Sequence, residues 1–274
     1  MVLGVVVIVA TLGFVEHSTD HTPVKELQVD VDAPEGVHFI DEDAVRKQVL
    51  SDANGVIGTA VGDVDMVGIE SRLRNIGCVA KANVYHTMDG VMHVTVKQRE
   101  PIVRVINADG SSFYIDREGW TMPMSENYTA RVLVVTGQLF EPFANGAPVN
   151  VLSNDSLRLA TRSDDIYAIA KTITKDQFWN ALFDQAVVDA NGGFELIPRV
   201  GAQTIRIGDG ADLPRCLNKL MTFYHGGMPQ ADWRKYSVID LRFADQIVCT
   251  RRGDAGVAPV TNRVTQASPR QPMR

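Results

Sequence analysis

Few side chains in this sequence have the type and spacing that metal binding requires. His17 and His21 lie four residues apart, and on a helix this spacing would place two imidazoles on one face, where they could bind a metal ion. The serine, threonine and proline of the same stretch disfavour a helix, and a metal site needs three or four ligands. We therefore interpret residues 16–24 as a polar linker, and we expect no metal and no cofactor in this protein.

The candidate catalytic residues of a hydrolase are Asp116, Glu118 and His93. Glycan hydrolysis needs two carboxylates on either side of a cleft, and sequence spacing gives no indication of one. The two carboxylates fall at a turn, where acidic side chains commonly bond to the backbone, and His93 lies in a strand pattern. The chain contains no phosphate-binding loop, dinucleotide-binding glycine pattern, H-E-x-x-H or nucleophile elbow. The sequence predicts a protein that is not an enzyme, and an envelope hydrolase is an alternative.

Length, charge and cysteine usage exclude further classes of function. The chain has 274 residues, of which 45% are hydrophobic, and this is enough for about two domains. A net charge of −6 argues against nucleic acid as a partner, because phosphate binding needs concentrated Lys and Arg. Cys78, Cys216 and Cys249 are odd in number and widely spaced, so we expect buried free thiols.

The N-terminal segment is strongly apolar. Residues 1–15 carry no charged side chain and consist mainly of Val, Leu and Ile. A spanning helix needs about 20 apolar residues, whereas a cleaved signal peptide needs a basic start and a small-residue cleavage site. We interpret residues 1–15 as an uncleaved membrane anchor whose cytoplasmic part is missing. A buried N-terminal strand or helix is the alternative.

The pattern from 25 to 99 is typical of a small α+β domain. Residues 27–31 alternate between apolar and polar and predict a strand. Asp41 and Asp63 are predicted to begin two helices, and Asp89-Gly90 is a strong signal for the turn of a hairpin. The order strand, helix, helix, strand, strand predicts a three-stranded sheet covered on one face by two helices.

Residues 100–252 predict a second, larger domain. Short strand patterns alternate with two amphipathic helices, one around Ile166–Ile173 and one around Leu213–Tyr224. The last two predicted strands are Ser237–Phe243 and Gln246–Thr250. The fold class is therefore α+β, with a mainly antiparallel β domain in the second position. Residues 253–274 are small, polar and contain proline, so we expect them to be disordered.

The two predicted domains meet almost without a linker. One strand pattern ends at Gln98, and the next begins at Ile102 after a proline that donates no hydrogen bond. We interpret this junction as a rigid joint that fixes the angle between the domains. Its residues are Lys97, Gln98, Arg99, Glu100 and Pro101.

The last predicted strand is a candidate surface for a partner. Exposed strand edges normally carry charge, proline or a bulge, and Ile247, Val248 and Cys249 carry none. An edge that accepts a partner strand would have this composition, and so would a strand buried within its own sheet. The sequence leaves these two interpretations open.

The ordered motifs of the chain resemble those of one family. The motifs are Val96-Lys-Gln-Arg-Glu-Pro101, Phe113-Tyr-Ile-Asp116, Arg131-Val-Leu-Val-Val-Thr-Gly137 and Val238-Ile-Asp-Leu-Arg-Phe243. Their order and spacing, together with the predicted elements, resemble the cell-division protein family FtsQ (DivIB), in the form found in Bacteroidota-type bacteria. The resemblance extends from about Leu27 to Arg252.

The resemblance implies a fold, a location and partners. It implies a single-pass inner-membrane protein, mostly periplasmic and enriched at the septum, with a POTRA domain followed by a β domain. The family acts as a divisome scaffold without a catalytic centre or small-molecule substrate. It joins FtsB-like and FtsL-like proteins and links them to septal peptidoglycan synthesis, and other division proteins bind the POTRA-like domain. The alternative is a POTRA-containing periplasmic module of an outer-membrane assembly or secretion system.

Within this family a partner strand lies along the last strand of the β domain. On that basis the resemblance implies contacts from the loop-and-strand segment that ends the domain. These residues are Arg242, Phe243, Gln246, Ile247, Val248, Cys249 and Thr250. This chain has Phe243 where many members have Tyr, and no tryptophan lies near Cys249.

Overall fold

The chain forms two compact units. A computed structural model describes residues 21–51, 55–126, 128–144, 146–153, 155–226, 233–253 and 260–262. The first unit comprises the described residues up to Glu100 together with Ser125–Ala130, and the second comprises Pro101–Met124 and the described residues from Arg131 onward. The predicted anchor at 1–15 lies outside the described residues. No helix in the described ranges is long and apolar enough to cross a membrane.

The first unit has the predicted order of elements. It contains β1 (Glu26–Asp32), α1 (Glu42–Leu50), α2 (Met66–Arg74), β2 (Val79–His86) and β3 (Val91–Gln98). The sheet order is β1-β3-β2, with β1 parallel and β2 antiparallel to the central β3. The predicted three-stranded sheet with two helices is confirmed.

Alternation and capping explain why these elements form. Met92, Val94 and Val96 of β3 are buried, while the residues between them are partly exposed. Asp41 caps α1, because its Oδ1 accepts a hydrogen bond of 2.7 Å from the N–H of Ala44.

The predicted start of α2 at Asp63 is wrong. Asp63 closes a short 3₁₀ turn, Val61–Asp63, and the helix begins at Met66. Asp65 caps it, accepting a bond of 2.8 Å from the N–H of Gly68. The two aspartates lie two residues apart, so the sequence pattern did not distinguish them.

The second unit is a mixed sheet with helices. Its elements are β4 (Pro101–Ile106), β5 (Ser112–Asp116), β6 (Thr121–Met122), β7 (Leu133–Gly137), α3 (Asp155–Ala160), α4 (Ser163–Lys175), α5 (Gln177–Leu182), β8 (Phe183–Val188), β9 (Phe194–Pro198), β10 (Thr204–Gly208), α6 (Leu213–Gly226), β11 (Tyr236–Asp240), β12 (Ile247–Arg251) and β13 (Val260–Asn262). The ten strands lie in the order β13-β12-β11-β10-β9-β8-β7-β4-β5-β6.

Both parallel and antiparallel pairs occur in this sheet. Three neighbouring pairs are parallel, namely β4–β7, β7–β8 and β10–β11, and the other six are antiparallel. Parallel neighbours need long connections, and two of these connections contain the amphipathic helices, α4 with α5 before β8 and α6 before β11. The mixed α+β class with a large, mainly antiparallel sheet agrees with the prediction.

The apolar faces of α4 and α6 supply much of the core of this unit. Ile166, Ile169 and Ile173 of α4 and Leu217 and Leu220 of α6 are at most 3% exposed and belong to one cluster with the inner residues of the sheet. Full burial of one such side chain stabilises a fold by about 1.5–3 kcal/mol. The sheet and the helices are therefore stabilised together.

The segment after Arg252, for which we expected disorder, contains a strand. Val260–Asn262 forms β13 and pairs antiparallel with β12. Val and Thr are β-branched residues that favour extended backbone, and Val248 of β12 lies opposite Thr261. Compositional reasoning missed this strand because three residues are too short to show a period.

Candidate functional site

Two of the three residues considered for hydrolysis, Asp116 and His93, contact their own surroundings, and the third, Glu118, is exposed. Asp116 is buried, and its Oδ1 accepts bonds of 2.9 Å and 2.8 Å from the N–H groups of Glu118 and Trp120. It therefore closes the turn between β5 and β6. His93 belongs to the other unit, where its ring stacks on Tyr85 with centroids 4.9 Å apart. Among the described residues no cluster of three or more His, Cys, Asp or Glu could hold a metal ion.

The candidate partner site begins where β11 ends. The strand stops at Asp240, so the sequence prediction of a strand through Phe243 is wrong. Leu241 is buried, while the following residues form an exposed loop, and Phe243 is 41% exposed although it is a large apolar residue. The loop thus exposes an aromatic residue, Phe243, and the charged residue that precedes it, Arg242.

Arg242 is held by Asp240. Its Nη2 lies 2.6 Å from Oδ2 of Asp240, and its Nε lies 3.0 Å from Oδ1. The backbone N–H of Arg242 also donates to Oδ1 of Asp240. The hydrogen bonds with this carboxylate raise the pKa of the guanidinium further above its usual value. The side chain of Arg242 is 49% exposed and that of Asp240 is 9% exposed, so the cation faces solvent from a fixed position.

Two basic residues of α6 hold the same loop. The ammonium of Lys219 donates to the carbonyl oxygens of Leu241, at 2.5 Å, and Phe243, at 2.6 Å. Arg215 donates from Nη2 to the carbonyl oxygen of Ala244 at 2.9 Å. Together they line a cavity of about 270 Å³ that Arg242 also borders. Sequence analysis missed both residues, although their i, i+4 spacing places them on one helix face.

The next predicted contacts lie on or beside β12. Gln246 is half-buried and precedes the strand, which runs from Ile247 to Arg251. Ile247 and Val248 are buried, at 5% and 6% exposure, and Cys249 and Thr250 are half-buried. Substitutions at Ile247 or Val248 would therefore affect folding.

Hydrogen-bond direction along β11 identifies the outer edge of β12. The N–H of Leu241 donates to Arg206 on β10, so the polar groups of the preceding residue, Asp240, face β12. Asp240 pairs with Val248, and Ile239 pairs with Cys249. The backbone N–H and C=O groups of successive residues in a strand point to opposite sides. Those of Val248 therefore point to β11, whereas those of Ile247 and Cys249 point away from β11.

That outer side is covered by β13. Ile247 lies opposite Asn262, Val248 opposite Thr261, and Cys249 opposite Val260. In the described residues β12 thus lies between two strands of its own sheet, as the second of the two interpretations expects, and pairing with a partner strand stays a prediction.

Side chains protect the two edges of the smaller sheet. On β1, Arg46 of α1 donates from Nη1 to the carbonyl oxygen of Leu27 at 2.8 Å. On β2, the N–H of Val84 donates to Oε1 of Glu70 on α2 at 2.9 Å. An edge group bonded in this way is not free to pair with another strand.

The far edge of the larger sheet is protected by a loop. The N–H of Thr121 on β6 donates to the carbonyl oxygen of Val149 at 2.9 Å, and Trp120 forms an isolated bridge with Asn150. At the opposite end of this sheet the outermost described strand is β13, which covers β12 through three residue pairs, whereas the loop at β6 forms a single bridge.

Gln98, a residue of the predicted joint, orders a loop within the first unit. It is buried, and its Oε1 accepts bonds of 2.9 Å and 3.1 Å from the N–H groups of Phe39 and Ile40. Tyr128 packs on the same loop, with its ring 4.9 Å from that of Phe39. The role of Lys97–Pro101 in setting the angle between domains stays a prediction.

The three cysteines are free thiols. Cys78 and Cys216 are buried, and Cys249 is half-buried on β12. Burial raises the pKa of the Cys78 and Cys249 thiols to about 11, and it also raises the pKa of Cys216. Such thiols are weak nucleophiles near neutral pH.

Comparison with known proteins identifies the family of this chain. A family model described as FtsQ/DivIB, C-terminal related, matches residues 100–250, more than half of the chain. The chain belongs to the FtsQ/DivIB family. A POTRA-like domain model matches residues 23–97 of this FtsQ/DivIB chain. The Cell division protein FtsQ of Rhodothermus marinus is 27% identical to it over 196 residues, which cover 70% of this chain and 67% of that protein.

The matched regions contain the sites described above. The FtsQ/DivIB match includes the loop with Arg242 and Phe243 and most of β12, and the POTRA-like match ends at Lys97. The chain is thus an FtsQ/DivIB-like cell-division protein with a POTRA-like domain, and the resemblance identified from its motifs is confirmed.

Proposed function

We propose that this protein is a non-catalytic scaffold of the bacterial divisome. Its larger unit binds FtsB-like and FtsL-like partners at the loop after β11 and along β12, and so links them to septal peptidoglycan synthesis. The observation that carries the proposal is the orientation of Arg242, whose guanidinium is fixed by Asp240 yet half exposed, in the same loop as the exposed residue Phe243. Arginine and aromatic residues are enriched at protein–protein interfaces, and a side chain fixed in advance loses less entropy on binding.

The proposal also includes the location. We propose that the protein lies in the inner membrane at the division site, with residues 1–15 as a single-pass anchor and the two described units in the periplasm, and its membership of the FtsQ/DivIB family supports this. The POTRA-like unit is assigned to contacts with other division proteins. The family match over residues 100–250 favours this role over a module of an outer-membrane assembly or secretion system.

Copurification from membranes tests the proposal. The tagged full chain is isolated with its bound proteins, which are identified by mass spectrometry, and a fluorescent fusion is imaged in dividing cells. We expect FtsB-like and FtsL-like proteins in the isolate and fluorescence at the septum. Recovery of outer-membrane assembly proteins, or an even distribution of fluorescence around the cell, would contradict it. Peptidoglycan-cleaving activity that Glu118→Gln, at an exposed position, abolishes without loss of folding would establish the hydrolase alternative.

A further inference from the structure

The edge of β12 is occupied by a short segment of the same chain. Residues 260–262 form three pairs with β12, opposite 249, 248 and 247. On its other side β12 pairs with β11 through four residues, and β11 continues into the sheet through β10. The outer strand is therefore joined to the sheet through three residue pairs, all of them with β12.

We infer that Val260–Asn262 is an internal substitute for a partner strand, and that a partner pairs with β12 by replacing it. The inference rests on the proposed function, because the replacing strand belongs to the partner. The pairing also defines the partner segment. It is an extended strand that runs antiparallel to β12, with its N–H and C=O groups directed at Ile247 and Cys249.

The other described edges do not favour such an exchange. In the smaller sheet, helix side chains form hydrogen bonds with the C=O of Leu27 and the N–H of Val84. At β6 a loop accepts a hydrogen bond from the N–H of Thr121. The protecting groups of the smaller sheet are side chains, and the loop at β6 forms one isolated bridge, Trp120–Asn150, whereas Val260–Asn262 forms a run of three paired residues. At β12 the protecting group has the same backbone geometry as the proposed partner.

Alternation along β13 provides a matched pair of variants. Val260 and Asn262 lie opposite Cys249 and Ile247, whose polar groups face outward, so the N–H groups of Val260 and Asn262 face β12 and that of Thr261 faces away. Val260→Pro removes an N–H that bonds to β12, whereas Thr261→Pro removes one that does not. Both variants introduce the same residue into the same strand of the full chain.

Hydrogen exchange measures the strand directly. We expect the amides of Ile247 and Cys249 to exchange at least about tenfold faster in Val260→Pro than in the unaltered chain. Thr261→Pro should leave their exchange within about twofold. Equal rates in all three proteins, or equal acceleration by both prolines, would overturn the inference.

A peptide probe tests replacement. A synthetic peptide of residues 256–266 should bind the chain truncated after Gly253 and the Val260→Pro chain, and should bind the unaltered chain at least about tenfold more weakly. Equal binding to all three, or binding to none, would overturn the inference. The two experiments contain no divisome protein. If they succeed while copurification recovers no FtsB-like partner, the internal strand stands and the proposed function fails.

Discussion

Arg242 lies against Asp240 with its Nη2 2.6 Å from Oδ2, so the carboxylate fixes the direction of the guanidinium. Arg242 belongs to an exposed loop, where a long side chain would otherwise sample many rotamers. Fixing it in advance reduces the entropy lost when a partner binds. The pair therefore connects local structure with the proposed binding function.

Removal of the cation should affect binding more than folding. Arg242→Ala should lower capture of the FtsB-like protein by at least about tenfold, because the solvent-facing half of the guanidinium is lost. It should lower the free energy of unfolding by about 1–2 kcal/mol, because Asp240 stays buried without its ion pair. Pull-down and urea denaturation measure the two effects. Arg131→Ala, at an exposed position of the same unit, is the control and should change neither. Unchanged capture by Arg242→Ala would remove Arg242 from the site.

Loss of Lys219 should loosen the loop from the side of α6. Lys219→Met keeps most of the length of the side chain but removes the bonds to Leu241 and Phe243. We expect the free energy of unfolding to fall by about 1–3 kcal/mol, since both bonds involve a charged donor. Denaturant titration measures this change. Lys175→Met, at an exposed position near the end of α4, should cost less than about 0.5 kcal/mol. If the two variants are equally stable, Lys219 does not hold the loop.

Gly137 should not tolerate a side chain. It ends β7 with φ at 110°, and a Cβ there would lie 2.2 Å from the carbonyl oxygen of Val188 on β8. Gly137→Ala should therefore destabilise the chain by about 3 kcal/mol or more, because backbone must move. Gly110→Ala is the matched control, since its φ is 88° and a Cβ would meet no atom within 4 Å. Its cost should be about 1–2 kcal/mol, from the backbone conformation alone. Similar melting temperatures for the two variants would contradict the close approach of β7 and β8.

The buried thiols should react slowly until high pH. Burial disfavours the thiolate and raises the pKa of Cys78 and Cys249 to about 11, so about one thiol in a thousand is ionised at pH 8. In single-thiol variants of the native chain, the rate of reaction with a disulfide reagent should rise about tenfold per pH unit between pH 8 and 10. In urea the rate should level off above about pH 9, because the unfolded pKa is about 8.5.

The same shift has a consequence for stability. A thiol whose pKa is raised in the folded state favours folding most when both states are protonated, below about pH 8.5. Stability should then fall as pH rises towards 11, because the unfolded chain ionises first. Thermal unfolding between pH 7 and 10 measures this. Serine variants of both cysteines are the control and should lose less stability over the same range.

The amino-acid sequence by itself determined the local elements and the family. Alternation over residues 91–98 and the apolar stripe from Leu213 to Tyr224 specify a strand and a helix, because a side chain's face depends only on local spacing. The motifs around Pro101, Gly137 and Asp240 were sufficient for the FtsQ/DivIB resemblance, and with it for the proposed role of Arg242 and Phe243.

Only the tertiary structure decided which groups meet. Lys219 bonds to backbone carbonyl oxygens 22 and 24 residues away, and such oxygens are present at every position, so they leave no mark in a sequence. The edge of β12 is likewise defined by which strand lies beside it. Val260–Asn262 is too short to show a period, and its pairing became evident only with the sheet in place. Local spacing thus determined the helices and strands, and long-range pairing determined that β13 covers β12.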